Sequence, residues 1–88
     1  MSSSQAELLR VIDMFLSARE ANGDFSMEMD HMVILLDRAR SRLSSSQTLR
    51  WLDMIRDRRL SASPRFLRDI LDLLKDADWQ EKPSFLLD

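Results

Sequence analysis

The chain has 88 residues and a net charge of -2, with 44% hydrophobic and 32% charged residues, one Gly, two Pro and no Cys. A chain this short admits one domain that buries about 60–65% of its unfolded surface. The apolar content excludes intrinsic disorder, and a single Gly argues against a β-rich fold with its many tight turns.

Ser4 and Glu7 have capping-box spacing, so a first helix is expected from about Ser4 to Asn22, with Gly23 as the left-handed residue after its end. Leu8, Leu9, Val11, Ile12, Met14, Phe15 and Leu16 make its apolar arc wide enough to touch two neighbours, which marks it as the central helix. A second helix is expected after Asp24 or Ser26 and reaches about Leu43, with Met29, Met32, Leu36, Ala39 and Leu43 as its buried stripe. Ser44, Ser45 and Ser46 break the chain and supply the next cap, with Gln47 placed as the box partner of Ser44. The third helix then runs to Arg59 or Leu60. Ser63-Pro64 opens a fourth, ending near Asp78, with Leu67, Ile70, Leu71, Leu74 and Ala77 on one side.

The expected fold class is therefore all-α: a small helical bundle of about four helices. Residues 1–80 form a single helical domain and 81–88 a C-terminal tail containing Phe85-Leu86-Leu87. Leu9–Phe15 resembles Leu49–Ile55 forty positions later, which would divide the bundle into two αα-hairpins.

No stretch approaches the roughly 18 consecutive apolar residues of a membrane span, and the first residues lack a basic leader region. No membrane association is expected. The absence of cysteine removes disulfides and thiolate metal sites and fits a reducing cytosol, so a cytoplasmic location is expected.

Catalytic constellations are sparse. His31 is the only histidine, and no Gly-x-Ser-x-Gly elbow or Gly-rich phosphate loop is present. Asp53 with Asp57, and Asp72 with Asp76, lie one helical turn apart, but their Arg and Lys neighbours mark solvated faces rather than an acid–base pair. Neither an enzyme nor a cofactor or metal site is expected.

The charge pattern is more informative. Residues 1–36 carry -4, residues 37–68 carry +6 and residues 69–88 carry -4. The positive middle holds Arg38, Arg40, Arg42, Arg50, Arg56, Arg58, Arg59, Arg65 and Arg68. Arginine favours bidentate contacts to carboxylate or phosphate. Neutralisation within the molecule is the plain account of this pattern; an acidic protein partner or nucleic acid is the functional one. A pI near 5.3 is far from that of a typical nucleic-acid binder.

The leading expectation is a non-enzymatic interaction protein, such as a small regulator, adaptor, chaperone or inhibitor, that binds another protein, or a second copy of itself, through a helix face. Helical rotation puts Met27, His31, Ile34 and Arg38 opposite the buried stripe of the second helix. Trp51 and Arg58, seven apart on the third, make a further candidate contact, since aromatic residues and Arg are enriched at interfaces. The alternative is a nucleic-acid-binding regulator that uses Arg56, Arg58, Arg59 and Arg65.

Overall fold

Ser45 and Ser63 each cap a helix in the computed structural model, which describes residues 3–83 and 85. Four helices form: α1 (Ser3–Glu20), α2 (Ser26–Arg42), α3 (Ser46–Arg58) and α4 (Pro64–Lys75). They pack as a closed ring, α1 on α2, α2 on α3, α3 on α4 and α4 back on α1. Between α2 and α3, Arg40 pairs with Asp53 and Asp37 with Arg56, so one numbering falls as the other rises and the two run antiparallel. Arg68, near the start of α4, reaches Glu20 at the end of α1, so that pair is antiparallel as well. The result is an up-down-up-down bundle.

Its centre is one apolar cluster. Ile12, Phe15 and Leu16 of α1 are fully enclosed, together with Met32 of α2, Ile55 of α3 and Leu67 and Leu74 of α4. The wide apolar arc of α1 does serve two neighbours, α2 and α4. In α2 the stripe is centred on Met32, Leu35 and Leu36; Leu35 joins the core, whereas Met29 and Ala39 stand half-buried at its edge. Phe25 sets its ring edge against Phe15, with centroids 5.5 Å apart and planes at 90°, and so ties the α1–α2 turn to the core.

Several local expectations are corrected. α1 begins at Ser3, which leaves Ser4 inside the helix, and it ends at Glu20. The left-handed residue after it is Asn22, with φ 57°, and not Gly23; asparagine is one of the few residues with a side chain that visits this region readily. The N-cap of α2 is Phe25, without a side-chain bond. Asp24 compensates by accepting from the Ser26 amide at 3.0 Å and the Ser26 hydroxyl at 2.7 Å, which holds its carboxyl below the usual range. Ser45, not Ser44, caps α3, and its hydroxyl accepts from the Thr48 amide. α3 ends at Arg58, and α4 at Lys75 rather than near Asp78.

The residues after α4 return across the open end of the bundle. Trp79 donates its indole N–H to the Leu74 carbonyl at 2.7 Å, closing the last turn of α4. Buried Thr48 donates to the Asp78 carbonyl at 2.6 Å. Ser44 donates its amide and its hydroxyl to the Gln80 carbonyl, both at 3.0 Å, and the Lys82 amide donates to the Arg42 carbonyl at 2.7 Å. Leu43 and Glu81 thus form a single antiparallel bridge. Phe85 stands 80% exposed and does not pack back onto the bundle; Leu86 and Leu87 lie outside the described residues.

Candidate functional site

Ion pairing sorts the arginines of the basic middle into two groups. Arg68 donates from Nε to Glu20 and from Nη1 to Asp13, both at 2.7 Å, with Nη2 bonded to Ser17 and Glu20. Arg40 is bonded to Asp53. Arg56 Nε lies 2.8 Å from Asp37 Oδ1 but off the line of its N–H, so that contact is ionic rather than a directed hydrogen bond. Arg59 turns back on its own helix and donates to the Arg56 carbonyl, while its Nε is buried without a partner. Among the described residues Arg38, Arg42, Arg50, Arg58 and Arg65, like Arg59, have no ion-pair partner. Internal neutralisation therefore accounts for only part of the charge.

Arg50 and Arg58 of this group share one face of α3. An open groove of about 570 Å³ runs along the outer face of α3, lined by Ser46, Leu49, Arg50, Asp53, Met54, Asp57 and Arg58, with Arg40 on one wall and Lys82 at the end. The α3 positions repeat at spacings of three and one, the face opposite Thr48, Leu52 and Ile55 in the core. Leu49 and Met54 are half-buried against the core on opposite flanks of this face, about 140° apart round the helix, and Met54 lies midway along the stripe that joins Arg50 to Arg58. Lys82 arrives there because its amide is bonded to Arg42, so the backbone bridge at the end of the bundle positions a cation on α3. Four cations and two carboxylates line the groove. Asp53 is taken by Arg40; Arg50, Arg58 and Lys82 carry the unpaired positive charge, and Asp57 is unpaired too.

A second, narrower cavity of about 50 Å³ lies between the start of α1 and the end of α2, where Leu8, Leu35, Leu43 and Trp79 meet Glu7, Arg38 and Arg42. A space of that size admits one or two water-sized groups, against the several hundred Å³ of a typical ligand site.

The residues expected to bind a partner are dispersed. Met27 and Ile34 are 83% and 56% exposed on the outer side of α2, with His31 also exposed, and none of the three lines either cavity. Arg38 belongs to the narrow cavity, Arg58 to the α3 groove, and Trp51 is half-buried against the core. Of the residues expected to contact nucleic acid, Arg56 and Arg59 are engaged within the molecule, while Arg58 and Arg65 are exposed.

Sequence reasoning missed Leu49, Met54 and Lys82 as site residues, and named Arg50 only as part of the positive middle. Arg50, Met54 and Arg58 repeat every four residues, a legible outer stripe. Nothing in the local sequence near Lys82 signals its position. Among the described residues no three His, Cys, Asp or Glu side chains are grouped to hold a metal ion, and no helix is long and apolar enough to cross a membrane. No protein-family model matches the chain, and no curated protein or solved structure does either.

Proposed function

We propose that the chain is a non-enzymatic protein-interaction module, a small regulator or adaptor, that binds another polypeptide through the outer face of α3. One observation carries this reading: the groove on α3 sets half-buried Met54 midway between Arg50 and Arg58, which have no ion-pair partner among the described residues, with Lys82 as a third such cation. Methionine and arginine are both enriched at protein interfaces. The outer side of α2 offers Met27, His31 and Ile34 without a groove to seat a partner. Binding rather than catalysis is favoured because the one histidine is exposed and because Asp53, the acid best placed in the groove, is tied to Arg40. A chain without cysteine suits a reducing compartment, and the cytoplasm is where we place it.

The nucleic-acid reading rests on exposed Arg58 and Arg65. Two carboxylates inside the groove and the internal engagement of Arg56 and Arg59 weigh against it.

Site-specific photo-crosslinking in the cells that express the chain tests the proposal. A crosslinker replacing Met54 should give an adduct with another polypeptide, lost when Arg58→Glu is added. One replacing Ile34 should give none. Adducts only from position 34 would move the docking face to α2.

A further inference from the structure

The partner of the α3 groove can be specified by charge and spacing. Half-buried Met54 presents thioether surface for an apolar side chain, with Leu49 on the opposite flank of the face. Arg50 and Arg58 stand one helical turn to either side of Met54, eight positions apart, about 12 Å along the axis. Lys82 adds a third cation where α3 begins, beside Ser46. Arg40 adds no free charge, because its ion pair with Asp53 offsets it.

We propose that the groove receives an acidic amphipathic helix from the partner protein, with carboxylates about seven positions apart bracketing an aliphatic residue, so that the carboxylates meet Arg50 and Arg58 and the aliphatic side chain lies on Met54 between them. This rests on the assignment of α3 as the docking face. Seven residues of helix span about 10.5 Å, which long Glu and Arg side chains match to the 12 Å between the cations. Guanidinium–carboxylate pairing is planar and bidentate, and it gains strength where the apolar contact excludes water. The mode is that of an amphipathic helix laid in a groove.

Charge complementarity favours a peptide over nucleic acid. Asp53 and Asp57 lie between the two arginines. A nucleic-acid strand carries a phosphate about every 3.4 Å along a duplex and would set several of them against those carboxylates. A peptide can place neutral or basic side chains there, and a Lys facing Asp57 would add a contact.

A phage-displayed library of random 16-residue peptides, panned on the full chain, tests this. Peptides with Asp or Glu at i and i+7 around an aliphatic residue at i+3 or i+4 should be enriched. Arg50→Glu/Arg58→Glu/Lys82→Glu, checked for helicity by circular dichroism, should bind them at least tenfold more weakly. Recovery with peptides whose carboxylates are changed to Lys would separate lost charge from lost fold. Enrichment of neutral or basic peptides that still fails with Met54→Asp would overturn the acidic partner but keep the docking face. No enrichment sensitive to either variant would overturn both. Displacement of the acidic peptides by a 20-base-pair DNA or RNA duplex at physiological salt would overturn the peptide in favour of nucleic acid.

Discussion

Arg19 and Arg68 show what single long side chains do in so small a bundle. Arg19, in the last turn of α1, donates from Nη1 to the Arg59 carbonyl at 2.9 Å and the Ala62 carbonyl at 2.7 Å. It thus satisfies carbonyls just past α3 that the helix cannot bond itself. Arg68 clamps α4 to α1 through Asp13 and Glu20, and its proton is held more firmly than usual by those two acids. In return the Arg68 hydrogen bond lowers the pKa of Glu20 below its ordinary 4.5. A depressed carboxyl pKa stabilises the folded state fully above the unfolded value, and this is lost as pH falls through the folded one. Thermal melts from pH 7 to pH 3 should therefore show Tm falling below about pH 4.5, and Arg68→Ala should have a lower Tm at pH 7 and a shallower fall. Parallel curves for the two proteins would remove the clamp from the account.

At the scale of elements, α3 and α4 follow one rule: a serine N-cap with its hydroxyl three residues before the amide it accepts from. Ser63-Pro64 is legible because Pro suits the first helical position and nothing nearby competes. The run Ser44-Ser45-Ser46 is ambiguous because three identical residues offer three caps. Tertiary structure decides: Thr48 must face inward to reach Asp78, which fixes the phase of α3 and leaves Ser44 free to bond Gln80. Ser45→Ala should cost about 1 kcal/mol of stability by chemical denaturation, the usual loss for a helix cap. An Ala scan of the three serines in which Ser46 carried the largest loss would put the cap elsewhere. Core stripes were legible for the same reason as the caps, since a period of 3.6 repeats within each helix. The ion pairs were not: Arg40–Asp53, Arg56–Asp37 and Arg68–Glu20 each join different helices, and spacing along one helix is silent about them.

At the scale of the whole molecule, the positive middle of the chain is divided by the packing. Arg40 of α2 is spent on α3 and Arg68 of α4 on α1; of the arginines without an ion pair among the described residues, Arg38 and Arg42 line the narrow cavity, Arg65 stands on α4, and Arg50 and Arg58 face outward along α3, where Lys82 is brought in from the far end of the chain. Segment sums of charge reveal the surplus but not its location, because neutralising acids come from distant positions. The central claim is that this outward surplus, with Met54 between Arg50 and Arg58, is the docking face. Its most direct test is backbone amide chemical-shift mapping of the ¹⁵N-labelled chain titrated with a helical peptide carrying Glu, Leu and Glu at i, i+4 and i+7. The account predicts shifts concentrated on residues 46–58 and Lys82, whereas shifts centred on Met27, His31 and Ile34, or none on α3, would contradict it.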